Sequence, residues 1–363
     1  MMITKEQLLD ALRKVEDPDL KKSLVELDMI KNIQVEGSNV GFEVELTTPA
    51  CPLKEKIRQD CLLAIQELDS SLNVEITMTA NVQSGRIGVD TLPNVKNVIA
   101  VASGKGGVGK STVSTELARA LARTGAKVGL LDADIHGPSL PTMLGLDNAF
   151  PESREIKGKN YIIPVEVDNL KVLSIGMLVD ERQAIVWRGP MVSSALRQFI
   201  QDVLWGKLDY LIIDLPPGTG DVQLSLLQHT KINGVVLVTT PQRVALADAR
   251  KAIGMFQMEK INVPILGVVE NMAWFSPPNK PEERYFLFGE HGGMHLAKEY
   301  DLPFLGHLPF TMTMRERGDG LSSSLSEEQL SHIDKIAGAS AQILALRNAQ
   351  VEKKPSNSLP PIQ

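Results

Sequence analysis

The sequence feature that most constrains the fold is a glycine-rich segment, GKGGVGKS, at residues 104–111. It matches the pattern G-x-x-x-x-G-K-S/T and lies between an apolar stretch at 97–103, which predicts a buried strand, and a helical stretch at 110–124. In this strand–loop–helix context the pattern binds phosphate, because glycines let backbone N–H groups converge on the oxygens and the helix N-terminus adds positive potential. We therefore predict a nucleotide-phosphate site formed by Gly104, Lys105, Gly106, Gly107, Val108, Gly109, Lys110, Ser111 and Thr112.

Three side chains of this loop have chemistry that suits ATP and Mg²⁺. Lys110 carries a positive charge for the β- and γ-phosphates, and Ser111 has a hydroxyl that can ligate Mg²⁺. Thr112 follows, where its hydroxyl would meet the α-phosphate. A glycine-rich turn that binds nothing is the alternative, and it is disfavoured because every position of the pattern is filled in the required context.

Two acidic residues follow apolar strands that would end beside the loop. Asp214 ends the stretch 208–214, and Asp134 follows the stretch 127–132. Ligands of open α/β sheets bind at the carboxyl ends of strands. We expect Asp214 to act on Mg²⁺ directly or through water, and Asp134 to orient the attacking water or a metal-bound water. A helix cap or loop residue is the alternative for either aspartate.

Apolar and helical stretches alternate from residue 97 onward. Strands are predicted at 97–103, 127–132, 208–214, 234–239, 265–270 and 304–308, and helices at 110–124, 191–204, 245–258 and 326–346. This alternation predicts an α/β fold, a doubly wound and mainly parallel sheet covered by helices on both faces. We assign residues 97–346 to this domain and the polar, proline-rich residues 347–363 to a disordered tail.

The first 81 residues predict a separate, small α+β domain. Helices are predicted at 3–16 and after Pro52, and strands at 30–35, 40–47 and 72–78. Residues 1–90 hold 16 acidic and 10 basic residues, an excess that equals the net charge of −6 of the whole chain. Residues 82–96 contain Gly, Pro and Ser without a clear period, so they predict a linker.

Composition limits which compartment and which classes of partner we expect for this protein. The chain has 363 residues, two cysteines, and no apolar run of the roughly 18 residues that a membrane span needs. Two cysteines exclude a disulfide framework and a four-cysteine metal site within one chain, so we expect a cytoplasmic protein. The acidic front and the neutral remainder argue against nucleic-acid and membrane partners. The six histidines show no metal-ligand spacing.

Further motifs carry a family resemblance. Lys105 stands in the loop ahead of Lys110, and this deviant phosphate loop resembles that of the ParA/MinD branch of P-loop ATPases. DADIHGPS at 132–139, WRGPM at 187–191, DLPPGTGD at 214–221 and ENM at 270–272 are together similar to the Mrp/ApbC family of iron–sulfur cluster carrier ATPases, over residues 97–345. DPD at 17–19 and TTPACP at 47–52 resemble the small domain at the front of bacterial Mrp proteins, also found in iron–sulfur targeting factors.

The resemblance implies a homodimer with two nucleotides between its subunits, which hydrolysis opens or closes. Lys105 would reach the nucleotide of the partner subunit, while Asp134 would serve switch I and Asp214 switch II. Asn271 would contact the adenine edge, and Pro309 would line the base pocket. The implied cofactors are ATP and Mg²⁺, and the implied partners are apo iron–sulfur proteins or a cluster scaffold.

In one respect the sequence departs from this family. Many members have a C-x-x-C shortly after the ENM motif, and two copies would hold a bridging 4Fe–4S cluster through four thiolates. The corresponding residues here are approximately Pro277 and Lys280, which cannot ligate iron like a thiolate. Cys51 is then the candidate iron–sulfur ligand, because it opens a predicted helix whose N-terminus would lower its thiol pKa. A buried small residue is the alternative for Cys51, and Cys61 is expected in the core.

We therefore predict an ATP-binding and ATP-hydrolysing iron–sulfur cluster carrier, and two alternatives stay open. One is a nucleotide-gated adaptor without a cluster of its own, which fits the missing cysteines. The other is a positioning ATPase of the ParA/MinD kind. Such proteins need a basic face or a basic amphipathic C-terminal helix, and the sequence has neither.

Overall fold

The computed structural model of this chain describes residues 3–84, 92–135, 137–178, 196 and 200–352. The WRGPM motif, most of the predicted helix 191–204 and His136 of the DADIHGPS motif lie outside these residues. The chain divides into two compact units, one formed by residues 1–85 with 341–363 and the other by residues 86–340. Among the described helices, none combines the length and the apolar character that a membrane span requires.

The first unit is built on a three-stranded sheet. Its elements are α1 (Lys5–Leu12), β1 (Glu16–Asp17), β2 (Lys22–Ser23), β3 (Ile30–Glu36), β4 (Asn39–Leu46), α2 (Lys54–Gln66) and β5 (Asn73–Ala80). In the sheet, β4 lies in the middle, antiparallel to β3 and parallel to β5. The predicted small α+β region is confirmed, although its first helix ends at Leu12 because Glu16 and Asp17 pair with β2 instead.

Local sequence explains how this unit forms. A capping box starts α1, where the hydroxyl of Thr4 accepts the backbone N–H of Gln7 and the side chain of Gln7 accepts that of Thr4. Every second side chain of β4 is buried, the period that directs one face of a strand into a core. Burial also raises the pKa of Cys61 to about 12. The core contains Leu8, Leu12, Val44, Ile57, Cys61 and Ile65.

The second unit contains an eight-stranded sheet. Its strands are β6 (Val95–Ser103), β7 (Val128–Asp132), β10 (Val165–Val167), β11 (Leu170–Ser174), β12 (Leu208–Asp214), β13 (Gly234–Thr239), β14 (Ile265–Glu270) and β15 (Phe304–His307). They lie in the order β10-β11-β7-β12-β6-β13-β14-β15, and every pair is parallel except β10 with β11. A separate hairpin is formed by β8 (Glu152–Ile156) and β9 (Lys159–Ile163).

The described helices of this unit are α3 (Lys110–Arg123), α4 (Leu140–Met143), α5 (Asp221–His229), α6 (Arg243–Gln257), α7 (Gly292–Glu299), α8 (Met312–Gly318) and α9 (Glu327–Glu352), the last of which ends in the first unit. Strands β6, β12, β13 and β14 are buried almost throughout, as expected of a parallel sheet covered on both faces. The predicted α/β fold is confirmed. Parallel strands end at one edge, so the residues after β6, β7, β12 and β14 come together there.

Several short elements were not predicted. Strands β10 and β11 extend the sheet beyond β7, and helices α5, α7 and α8 were also missed. Each is between three and nine residues long, too short to display a clear period. In addition, β6 begins at Val95, inside the predicted linker 82–96.

The predicted disordered tail is wrong at its start. α9 continues to Glu352, so residues 347–352 are helical. Asn348 is buried, and its side-chain amide donates to the backbone carbonyl of Gln83 at 3.4 Å. The sequence has no glycine or proline between Gly338 and Pro355, and nothing in it stops the helix at 346.

Candidate functional site

The glycine-rich loop leads from β6 into α3 through backbone conformations that residues other than glycine rarely adopt. Gly107 (φ +78°) and Gly109 (φ +81°) lie in the left-handed region, and Gly109 directly precedes α3. The surrounding atoms also leave no room for a side chain at two of the glycines. A Cβ at Gly104 would lie 2.2 Å from the backbone carbonyl carbon of Asp248, and one at Gly109 would lie 2.1 Å from Nδ2 of Asn271. The loop therefore requires glycine where the sequence pattern has it.

Asp214, at the end of β12, accepts hydrogen bonds from three side chains of α3. Lys110 Nζ donates to Oδ2 at 2.8 Å, Ser111 Oγ donates to the same oxygen at 2.6 Å, and Ser114 Oγ donates to Oδ1 at 2.6 Å. Asp214 is fully buried, and Lys110 is only 6% exposed. The pairing and the hydroxyl contacts offset the cost of burying these two charges. The carboxylate thus contacts both residues that the motif assigns to phosphate and metal.

Asp134 lies in the loop after β7, with its Oδ2 at 3.6 Å from Lys110 Nζ. Asp132 organises this loop. Its carboxylate accepts the backbone N–H of Asp134 at 3.1 Å and the hydroxyl of Ser174 at 2.9 Å. Burial, and then the negative charge of Asp214, raises the pKa of Asp132 to about 7. Asp132 is therefore a positioning residue for Asp134, a role that the sequence pattern did not indicate.

Asn271, directly after β14, contacts the phosphate loop itself. Its Nδ2 donates to the backbone carbonyl of Val108 at 2.9 Å, and its backbone N–H donates to the carbonyl of Thr239 at 2.8 Å. These two bonds fix the side chain against the loop. Its contact with adenine stays a prediction.

A cavity of about 440 Å³ opens at the loop. Four separate segments of the chain contribute predicted residues to its wall. These residues are Lys105, Gly106, Gly107, Gly109, Lys110, Ser111, Thr112, Asp134, Asn271 and Pro309. Three of the residues predicted for the nucleotide and its metal ion do not line it. Val108 and Asp214 are buried, and Gly104 packs against the backbone of Asp248.

The rest of the wall comes from residues that were not predicted individually, although Gly137, Ser139, Pro217 and Met272 belong to the motifs that carry the family resemblance. They are Ser103, Gly137, Ser139, Met143, Pro217, Met272, Phe310, Met314, Arg315, Gly318 and Asp319. Met314 and Arg315 belong to α8, a helix of seven residues. Ser114 was also missed, although its place one helical turn after Lys110 was a usable signal, because residues four apart on a helix share a face.

Cys51 lies in the first unit and is half-buried. The expectation that the pKa of Cys51 is lowered is wrong, because burial outweighs the lowering by the backbone N–H of Lys54, the first residue of α2. Burial raises the pKa of the Cys51 thiol above its usual value, and the carboxylates of Asp19 and Asp17 raise it further, against a lowering by the backbone N–H groups of Leu53 and Lys54. The thiol therefore keeps its proton at neutral pH.

Two family models match this chain, and curated relatives match it over most of its length. Residues 94–344 match the family model of the NUBPL iron-transfer P-loop NTPase, and residues 5–78 match that of an iron–sulfur cluster assembly protein. The iron–sulfur cluster carrier protein of Synechocystis sp. is 47% identical over 94% of this chain and 97% of its own length. That of Deinococcus radiodurans is 44% identical over 97% of both chains. This chain belongs to the iron–sulfur cluster carrier family.

A solved structure supports the fold of this iron–sulfur cluster carrier. The nucleotide-binding protein of Archaeoglobus fulgidus, in a complex with ADP and with cobalt, is 41% identical, has a TM-score of 0.55, and covers 63% of this chain and 88% of its own. The resemblance to the Mrp/ApbC carriers is confirmed, as are the P-loop NTPase fold and the assignment to iron–sulfur cluster carriage and assembly.

Proposed function

We propose that this carrier is a Mg²⁺-dependent ATPase that acts as a nucleotide-sandwich homodimer and passes iron–sulfur clusters to apo-proteins, or receives them from a scaffold, in the cytoplasm. The observation that carries the proposal is the meeting of Lys110, Ser111 and Asp214 beside a cavity of about 440 Å³. A lysine, a hydroxyl and a carboxylate in this arrangement are the groups with which P-loop NTPases hold phosphate and metal.

The donor set fits Mg²⁺. Ser111 Oγ and Asp214 Oδ2 are 2.6 Å apart, and both are oxygens, the ligand type that Mg²⁺ prefers. Because Ser111 lines the cavity and Asp214 is fully buried, Ser111 would be the direct ligand and Asp214 would hold it or a metal-bound water. When bound, the ion supplies positive charge beside the β- and γ-phosphates.

Two further charges would act on the γ-phosphate. Lys110 is held within 2.8 Å of Asp214 and 3.6 Å of Asp134, so its ammonium group already stands at the loop where phosphates would bind. Asp134 lines the cavity, and its carboxylate would orient the water that attacks in line. Lys105 would add positive charge at the nucleotide of the partner subunit.

The base would be held by the segments after β14 and β15. Asn271 uses one amide proton on Val108, which leaves its other proton and its Oδ1 for the adenine edge. Pro309 is on the same wall and would pack against the ring.

Cluster binding requires thiolates, and the chain has two cysteines. Cys61 is fully buried in a hydrophobic core, which leaves the half-buried Cys51 as the proposed ligand. Its raised pKa means that iron has to displace a proton, so binding is weaker than at a preformed thiolate. Such a ligand suits a cluster that is bound only transiently. The family resemblance implies a cluster of the 4Fe–4S type.

Two measurements test the proposal. Phosphate release from ATP should be slow, should require Mg²⁺ and cease with EDTA, and should be lost in Lys110→Ala. Anaerobic reconstitution followed by transfer to an apo-ferredoxin should fail in Cys51→Ser and succeed in the matched control Cys61→Ala. Mg²⁺-dependent hydrolysis by wild-type protein that holds no cluster would favour the nucleotide-gated adaptor, which also fits the missing C-x-x-C.

A further inference from the structure

One carboxylate and two imidazoles meet at the ends of β14 and β15, outside the nucleotide cavity. Glu270 is the last residue of β14 and His307 the last of β15, and the parallel register pairs them directly. His291 immediately precedes α7. One ligand atom from each of the three side chains lies within 4.8 Å of the others. The histidines show no metal-ligand spacing along the sequence, and it is the register of β14 and β15 that brings His307 to Glu270.

The carboxylate of this cluster is buried and oriented. Glu270 is 1% exposed, and its Oε2 accepts the backbone N–H of Gly293 in the first turn of α7. Its Oε1 lies 3.0 Å from Nδ1 of His307. Around a tetrahedral ion with bonds of about 2.0–2.1 Å, neighbouring ligand atoms are about 3.3 Å apart. The spacing of Oε1 and Nδ1 is therefore compatible with a shared ion.

The side chain of His291 provides a second, independent observation that favours a bound ligand at this cluster. Its Nδ1 is buried and has no hydrogen-bond partner within the part of the chain that the structure describes. Its Nε2 lies 3.1 Å from the carboxylate of Glu290. An unpaired buried nitrogen is unfavourable, and buried polar groups in proteins are normally paired. A metal-bound histidine has this arrangement, with one nitrogen on the ion and the other donating to a carboxylate.

We propose that Glu270, His291 and His307 bind a divalent transition-metal ion of the Zn²⁺ and Fe²⁺ class. Two imidazole nitrogens and one carboxylate oxygen favour these ions over Mg²⁺ and Ca²⁺, which take oxygen ligands. The side chains of His291 and His307 are 44% and 25% exposed, so an ion enters from solvent and water completes its coordination. The site is separate from Ser111 and Asp214, and it depends neither on ATP hydrolysis nor on cluster transfer.

A bound ion would link the ends of β14 and β15, which lead to the wall of the nucleotide cavity. Glu270 is followed by Asn271, and His307 is followed two residues later by Pro309, both on the cavity wall. The backbone N–H of Leu308 already donates to the carbonyl of Glu270 at 2.9 Å. Occupancy is therefore expected to stabilise the segments that carry Asn271 and Pro309.

Titration of the full-length, metal-stripped protein with Co²⁺ tests the site, with excess Mg²⁺ and ADP present to occupy the phosphate loop. We expect one Co²⁺ per chain, with visible d–d bands, without the near-ultraviolet bands of a thiolate ligand, and with full displacement by Zn²⁺. His291→Asn should weaken Co²⁺ binding at least about tenfold. The matched control is His295→Asn, an exposed histidine on α7, which should bind Co²⁺ like the wild type.

Thermal unfolding gives a second readout that does not use the cobalt spectrum. Zn²⁺ should raise the Tm of the wild type and of His295→Asn and leave that of His291→Asn unchanged, while the metal-free Tm values show that both variants fold. Absence of Co²⁺ binding in the wild type, an equal loss in His295→Asn, or thiolate bands alone would overturn the proposal. The contact between Glu270 and His307 would then be an ordinary hydrogen bond.

Discussion

Lys110 and Cys51 are reactive side chains near the starts of two helices, and their surroundings act on them in opposite ways. Lys110 begins α3 and is almost completely buried, yet the carboxylate of Asp214 lies 2.8 Å from its ammonium group. Cys51 precedes α2 and is half-buried, and the charges near it, on Asp19 and Asp17, have the sign that a thiolate would have.

Burial alone therefore does not decide whether a site holds charge. A buried charge persists when an opposite charge and hydrogen bonds replace water, and it is suppressed when neighbours have the same sign. In the nucleotide site the charge that would bind phosphate is already present. At Cys51 the charge that would bind iron forms only when iron arrives. A carrier built this way would bind nucleotide firmly and hold its cargo loosely.

The largest effect is expected from Lys110→Ala, which removes the cation and leaves Asp214 buried without it. We expect ATP hydrolysis to fall by at least about 10²-fold. The free energy of unfolding should also fall, by about 3–5 kcal/mol, because the remaining charge is unpaired. Phosphate release and urea denaturation measure the two effects.

The matched control for this variant is Lys105→Ala, which removes a cation from the cavity wall and not from the buried pair. It should slow hydrolysis and leave the free energy of unfolding almost unchanged. The double variant Lys110→Ala/Asp214→Asn should regain stability and stay inactive. Equal stability of Lys110→Ala and the wild type would contradict the account of the buried pair.

The next effect is expected from Asp134→Ala. Hydrolysis should fall by about 10²-fold because the attacking water loses its orienting carboxylate, while the affinity for ATP should be retained. Single-turnover hydrolysis and the Kd of a fluorescent ATP analogue measure these separately. Asp319→Ala, at another acid on the cavity wall, is the control and should leave the rate of hydrolysis within a few-fold. If Asp134→Ala instead abolished ATP binding, Asp134 would contribute to binding ATP and not to orienting the attacking water.

A third prediction concerns the thiol of Cys51, observed in a Cys61→Ala background. Because its pKa is raised above 9.0, first by burial, alkylation by iodoacetamide at pH 8 should be slower than that of a free cysteine. Asp19→Asn removes one of the charges that raise the pKa, so it should increase the rate about two- to threefold. Asp10→Asn, at an exposed acid of the same unit, is the control. Fast alkylation of the parent would show that Cys51 is already a thiolate.

The two regions also differ in how far sequence could predict them. The phosphate loop is contiguous, and its backbone conformation depends on glycines that are visible in the sequence, so residues 104–112 could be assigned from the sequence pattern alone. Asp134 and Asp214 could be expected nearby because the carboxyl ends of parallel strands meet at one edge. The cavity wall formed by Met314 and Arg315 could not, because a helix of seven residues about 200 positions away has no pattern that points to the loop.

The pKa of Cys51 and the Glu270–His291–His307 cluster were beyond sequence reasoning for a related reason. A local rule about helix starts predicted a lowered pKa, but burial and the two aspartates are consequences of tertiary packing. Glu270 and His307 meet through the register of β14 and β15, which spacing along the chain does not reveal. Properties that depend on the neighbours of a side chain need the fold.

A further prediction concerns Asp132, a buried acid beside Asp214. Its pKa is raised from 3.8 to about 7, chiefly by burial. Between these values the unfolded chain has lost a proton that the folded chain still binds, so the free energy of unfolding falls as pH rises through this window. Asp132→Asn removes this linkage. Urea denaturation at about pH 5 and about pH 8 should therefore show the variant gaining stability relative to the wild type at the higher pH. Asp147→Asn, at an exposed site, is the control. An unchanged difference between Asp132→Asn and the wild type would mean that Asp132 is ionised throughout, and that the ammonium group of Lys110 compensates both carboxylates.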